Sequence, residues 1–231
     1  MSQNQVAKEL DRLANPAKAK DYQWFFKTGK GQYGEGDIFL GISVPHQRQV
    51  ANLYWDVVDL PQIGELLKSP IHEYRLTALI ILVKQYPKNK KNIYDFYLKN
   101  LKHINNWDLV DVSCLKIVGA YCYEHHDYSI LLKLSQSHSL WERRISMIST
   151  AFFIDRMDFT PTITIAKTLL NDPHDLIHKA VGWMLREVGK RDLKVLTDFL
   201  NQYTLHMPRT ALRYAIEKFP ETLRLYYLKL K

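Results

Sequence analysis

Trp107 and Asp111 stand four residues apart in NWDLVD, Trp141 precedes Arg144 by three in WERR, and Trp183 follows Lys179 by four in KAVGWMLREVGK. On a helix, residues three or four apart share a face. Trp107, Asp111 and Trp183 are therefore expected to look the same way as a set of cations at one recurring phase: Arg75, Arg144, Lys179 and Arg213. The expected product is a carboxylate framed by indole rings within a basic groove. Cations at one phase suit a phosphate backbone, which carries about one charge per 1.7 Å of duplex axis. A carboxylate facing phosphate is repelled, so a groove built for binding alone has no use for Asp111. Each residue also has a plainer reading. A helical Trp is usually core, the cations can pair with acids or lie along the core edge, and Arg143 or Arg144 can hold Asp111 as an ion pair. Asp108 fits a first-turn acid near a helix N-terminus, whereas Asp111 lies about one turn deeper and gains nothing from capping.

The elements that must position these residues are helices arranged in a repeat. Taking Arg75 as the phase marker, the equivalent positions are Val110, Arg144, Lys179 and Arg213, at steps of 35, 34, 35 and 34 residues. Such regularity points to tandem helical hairpins, each about one HEAT-like unit long, that must stack to bury their apolar faces. The fold class expected is all-α, a HEAT-like helical-repeat solenoid with a concave basic groove, formed as a single domain over residues 1–231. Asn15-Pro16 reads as a helix cap followed by proline at the first helical position, and Pro87 and Pro220 follow helical runs and stop them. Ile38 to Val44 (IFLGISV) has strand character but no obvious partner strand.

Five of the nine glycines fall between Gly29 and Gly41. The glycine-rich loop near residues 28–37 lacks the order of a nucleotide P-loop. It either lays backbone N–H groups and Lys30 against phosphate or simply joins two helices.

Composition narrows the function classes. The 231 residues are 46% hydrophobic and 24% charged, as in ordinary globular chains. The net charge is +8, and residues 179–231 carry eleven Lys/Arg against five Asp/Glu, which suggests a polyanionic partner. No run of 18 apolar residues is present and no secretory signal is visible, so neither a membrane partner nor export is expected. Cys114 and Cys122 are too few for a disulfide scaffold or a four-cysteine zinc site, and a reducing cytoplasm is the expected compartment. His103, His125, His126 and His138 do not have metal-ligand spacing, so neither a metal nor another cofactor is expected.

The repeat set, with NWDLVD, WERR and KAVGWMLREVGK in one register, resembles the DNA alkylation repair family of AlkD-like glycosylases over about Ala19 to Phe219. FLGISVP followed by Arg48 resembles that family's N-terminal region. The resemblance implies HEAT-like repeats that bind duplex DNA and excise positively charged N3- or N7-alkylated purines without inserting the base into a protein pocket. It implies that Trp107, Asp111 and Trp183 are catalytic and that Arg144 contacts DNA. Lys179, Arg213, Arg75 and Lys30 are expected to assist that contact. Phe25 falls where family members can carry a Tyr, which keeps the aromatic contact and removes the hydroxyl. The partner implied is double-stranded DNA containing alkylated bases, bound by a monomer. Two other readings stay open at this point: a non-catalytic binder of damaged or branched DNA, and a protein–protein scaffold.

Overall fold

The computed structural model describes residues 4–230 and is all-helical apart from turns and a single isolated β-bridge. Contacts cluster into two compact units, Met1–Ser113 and Cys114–Lys231. The first holds α1 (Gln5–Arg12), α2 (Pro16–Phe25), α3 (Val44–Tyr54), α4 (Leu60–Leu67), α5 (His72–Gln85), α6 (Lys90–Lys99) and α7 (Trp107–Cys114), which ends at the division. The second holds α8 (Ala120–Glu124), α9 (Ser129–Ser135), α10 (Leu140–Ser149), α11 (Ala151–Ile154), α12 (Thr160–Thr168), α13 (Asp175–Arg191), α14 (Leu193–Tyr203), α15 (Arg209–Ala215) and α16 (Glu221–Lys229). The five aligned sequence stretches carry α5, α7, α10, α13 and α15, so the 34–35 residue period is a period of helices. Among the described residues no helix is long and apolar enough to cross a membrane.

Local chemistry sets the helix starts. Asn15 accepts from the Lys18 N–H at 3.1 Å and Pro16 follows it at the first helical position. Asp59 and Gln62 form a reciprocal capping box at α4. Asp192 accepts from the Val195 N–H and starts α14 directly after α13.

In the first unit α5 is the central element, packed by both α3 and α4. Leu79, Ile81 and Leu82 are fully buried there. That double packing buries α5 on nearly every side from His72 to Leu82, polar residues included, rather than on one amphipathic face. The segment Ile38 to Val44 does find a partner, though only for one residue. Ile38 bridges Ile71 in parallel, donating to the Pro70 carbonyl at 3.0 Å and accepting from the His72 N–H at 2.8 Å. The buried Glu73 carboxylate then accepts from the N–H groups of Leu40, Gly41 and Ile42 at 3.0, 2.8 and 3.2 Å. Helix α5 thus replaces the missing strand as hydrogen-bond partner. Gly41 sits at φ +80°, and a Cβ there would fall 2.2 Å from the Asn15 carbonyl oxygen.

In the second unit α13 is central, packed by α10, α12, α14 and α15. Gly182 lets α13 and α15 approach: a Cβ would meet the Ala211 carbonyl oxygen at 2.4 Å and Tyr214 Cβ at 2.5 Å. Gly64 in α4 has only ordinary contact with the Phe96 ring at 3.6 Å. Gly182→Ala should therefore cost roughly 1–3 kcal/mol through overpacking. Gly64→Ala should be neutral or stabilising by about 0.5–1 kcal/mol. Thermal unfolding of the two variants checks the contrast.

Candidate functional site

Trp107 opens α7 and Asp111 follows one turn later, so both lie on the same face of that helix. Both are half-buried, while the intervening Leu109 and Val110 are fully buried and anchor the opposite face. The Trp107 indole is held by aromatic neighbours. Phe26 stacks on it with centroids 5.3 Å apart and planes at 14°, and Phe25 meets it edge-on at 6.0 Å. The stack continues from Phe26 to Phe39 at 4.9 Å and from Phe39 to the His72 ring at 4.6 Å.

Beneath the stack lies a buried charged cluster. His72 Nδ1 lies 2.9 Å from Asp37 Oδ2 and its Nε2 lies 2.8 Å from Asp108 Oδ2. Carboxylates only accept, so both ring nitrogens must donate, and that requires the imidazolium. Burial alone would push the His72 pKa down. The Asp108 charge and its hydrogen bond, reinforced by Asp37, outweigh burial and raise it from 6.5 to about 9. Arg75 completes the cluster, with Nη2 2.6 Å from Asp37 Oδ1. Burial would raise the Asp37 pKa, but hydrogen bonding to His72 and the charge of Arg75 lower it below its usual value. Asn106 ties the cluster to the start of α7: its side-chain amide donates to Asp37 Oδ2 at 3.3 Å and its side-chain carbonyl accepts from the Trp107 backbone N–H at 2.8 Å.

This arrangement corrects the expected basic stripe. Arg75 is only 6% exposed and serves as an internal counter-ion to Asp37, so it is not a surface cation for phosphate. Arg144 on α10 is 5% exposed and donates to the Leu176 carbonyl at 2.7 Å. Lys179 on α13 is half-buried and pairs with Asp175 at 2.6 Å, while Trp183 stands one turn further along the same helix, also half-buried. Arg213 on α15 is exposed. Arg143 bridges to Asp172 at 2.5 Å and donates to the carbonyls of Ser137 and His138, which commits it to holding the chain before α10. A shared phase in sequence thus covers both interior and surface environments.

The glycine-rich loop holds its own shape with many of its backbone donors. The Gly29 N–H donates to Gln32 Oε1 at 3.0 Å and the Gly31 N–H to Glu35 Oε2 at 2.7 Å. The N–H groups of Gln32, Gly34, Glu35 and Asp37 go to backbone carbonyls within residues 27–34. The Lys30 side chain is exposed. The loop ends on Asp37, which roots it in the charged cluster.

Phe25, Trp107, His72 and Asp108 also line a cavity of ≈ 770 Å³ in the first unit, between α2 and the elements α3, α5 and α7. Asp111 does not line it. Asp37, His72 and Asp108 were not singled out as a group by sequence reasoning. Their one signal is spacing: the contacts span 35 and 36 residues, one repeat each. No group of residues able to hold a metal ion occurs among the described residues.

A helical-repeat protein with a half-buried carboxylate one turn from a stacked indole is the class these features define. The family described as DNA alkylation repair enzyme matches residues 6–219, and the chain belongs to that family. Membership gives a role in the repair of alkylated DNA, with DNA as the partner. A solved structure described as a predicted DNA alkylation repair enzyme from Enterococcus faecalis superposes with a TM-score of 0.74 at 16% identity, covering 90% of this chain and 97% of that one. AlkD2 from Streptococcus mutans gives 0.58 at 18% identity, covering 94% and 99%. The protein smu.31 from Streptococcus mutans UA159 gives 0.58 at 18%, covering 94% and 100%. At these identities the likeness is one of fold. No curated protein matches the chain.

The His72 cluster makes stability depend on pH with a definite sign. His72 has a folded pKa above its unfolded value, so its contribution is complete below pH 6.5 and disappears as pH rises through about 9. The loss is about 3 kcal/mol at 1.36 kcal/mol per unit. Asp37 contributes in the opposite direction, above its usual value of 3.8, and is lost in acid. Denaturant unfolding from pH 6 to 9.5 should show the alkaline loss, and His72→Gln should be less stable at pH 6 with a flatter profile.

Proposed function

We propose that the protein is a metal-free DNA glycosylase that excises positively charged N3- and N7-alkylated purines from duplex DNA in base excision repair. The observation that carries the reading is Asp111, half-buried one turn from Trp107, whose indole stacks on Phe26 and whose backbone N–H is held by Asn106. Family membership supports alkylated DNA as the target.

An alkylated purine is cationic, and its glycosidic bond is already weakened because the base departs neutral. When the bond breaks, the electron pair leaves with the base and positive charge develops on the sugar. Water then adds to C1′ and releases its proton, leaving an abasic sugar. A carboxylate about 4 Å from that sugar stabilises the charge by ~4 kcal/mol at an effective dielectric of 20. That corresponds to about three orders of magnitude in rate, provided the attraction is stronger in the transition state than before it. Asp111 also orients the attacking water, in the manner of the carboxylates that support oxocarbenium-like states in glycoside hydrolysis. Trp107 offers a π face to the cationic nucleotide, worth ~0.5–2 kcal/mol. Trp183 is assigned the second such indole by its KAVGWMLRE motif, and Arg144 the DNA contact by WERR. Lys30, Lys179 and Arg213 are the cations assigned to phosphate.

Asp111→Asn should keep duplex affinity and lose up to about 1,000-fold in the rate of 7-methylguanine release. Unchanged release would refute the assignment. Duplex binding by the wild type should fall with salt at a log–log slope of about −3, for three phosphate contacts. Affinity indifferent to salt would count against the groove, and salt-dependent binding without release would favour a non-catalytic binder.

A further inference from the structure

The two ends of α5 do different work. Its first turn carries His72 and belongs to the charged cluster. Its last turn, about 20 Å further along at 1.5 Å per residue, carries Lys84 and Gln85 and meets the turn that follows α3. The Gln85 amide donates to the carbonyls of Trp55 and Val58 at 2.7 and 2.6 Å, which clamps that turn to α5. Leu53 and Val57, on either side of Trp55 in sequence, are each 66% exposed. A lone exposed aliphatic residue needs no explanation. Here two of them flank a ring that lines a cavity, which makes a patch. The cavity measures ≈ 160 Å³, with Trp55, Leu60 and Ile93 as its apolar lining. That is well below the roughly 300 Å³ at which pockets for drug-sized ligands begin, and suits a single side chain.

The rim of this patch is cationic. Lys88 Nζ sits 4.1 Å and Lys84 Nζ 5.6 Å from the centroid of the Trp55 ring, and both lysines are exposed. Their aliphatic stems extend the apolar surface while their ammonium groups stay in water. Lys90 and Lys91 follow in sequence, Lys91 paired with Asp95 at 2.6 Å. Asp59 is committed to the capping box of α4, so Asp56 is the acid on the cavity lining among the described residues. Charge complementarity therefore selects an acidic partner. A nucleic-acid strand would satisfy the lysines but leave Leu53 and Val57 without a role. A base stacking on Trp55 would also have to displace the ammonium groups already over the ring. A second copy of this chain would bring a net charge of +8 to a basic rim. A protein segment with aliphatic residues set between acidic ones uses both the lysines and the aliphatic pair.

We propose that the turn after α3 and the last turn of α5 form a docking surface for an acidic, aliphatic segment of a partner protein. One aliphatic side chain of that segment enters the cavity beside Trp55, and its acidic neighbours meet Lys84 and Lys88. The surface lies at the far end of α5 from His72 and includes none of the residues assigned to DNA. It does not depend on excision at Asp111.

The test uses the full chain and a fluorescein-labelled peptide with two leucines between acidic pairs, EELLEE, followed by fluorescence anisotropy. EELLEE should bind, and the control peptides EESSEE and KKLLKK should bind at least about tenfold more weakly. Leu53→Ser and Lys88→Glu, both at exposed positions, should each weaken EELLEE binding by about five- to tenfold and leave duplex DNA affinity within about twofold. An unchanged thermal unfolding midpoint in Leu53→Ser shows that its loss of binding is not loss of fold. No binding of EELLEE at about 1 mM peptide overturns the proposal. Equal binding of EESSEE also overturns it, because the surface is then purely ionic. A greater loss of duplex affinity than of peptide affinity in Lys88→Glu reassigns the surface to nucleic acid. A wild-type dimer that dissociates in Leu53→Ser, seen by sedimentation, reassigns it to a second copy. Either result overturns the acidic partner.

Discussion

His72 can hold Asp37 and Asp108 at once only as an imidazolium, and much of the first unit's geometry follows from that single protonated ring. Asp37 is the last residue of the glycine-rich loop, His72 opens α5, and Asp108 lies in the first turn of α7. Three segments about one repeat apart are thereby clamped at one buried point. Asn106 passes the constraint to the Trp107 backbone, and the Phe39–Phe26 stack passes it to the Trp107 ring. With Arg75 the cluster contains two cations and two anions, so burial is tolerated because every charge has a partner. Removing one member of such a set leaves an uncompensated charge and typically costs 3–5 kcal/mol.

The same economy of charge runs through the second unit. Arg143 is spent on Asp172 and two carbonyls, and Arg144 reaches the Leu176 carbonyl. Arg186 pairs with Glu217, and Arg191 with Asp155. A net charge of +8 therefore overstates the cation available to a partner, because many of the cations act as internal fasteners. Those left outward, among them Arg213 and the α2 lysines, are the ones whose exposure has no structural return.

The helices and their period were legible because they are written locally. Asn15-Pro16, the proline stops and the 34–35 residue spacing each rest on short-range chemistry, and each falls on a helix or its boundary. The family was legible from NWDLVD, WERR and KAVGWMLREVGK, all of which lie within the family match over residues 6–219. The environment of the phase cations was not legible. Equivalence in the repeat does not imply equivalence in burial, because α5 is packed by helices on two sides and takes Arg75 inside with it. Asp108 read as a first-turn acid, and it is one, but its partner comes from a helix 36 residues earlier, which no local rule names. Ile38 to Val44 forms no strand: Ile38 alone makes a bridge, to Ile71, the N–H groups of Leu40, Gly41 and Ile42 go to the Glu73 carboxylate on α5, and Val44 opens α3.

The neutral quartet also bears on how this sequence can drift. Asp37, His72, Arg75 and Asp108 cannot be exchanged one at a time without passing through a chain that carries a lone charge in its interior. Lineages descending from it should therefore keep all four or replace them together. A descendant with an apolar residue at position 72 is expected to have lost both acids, and with them the anchor that ends the glycine-rich loop.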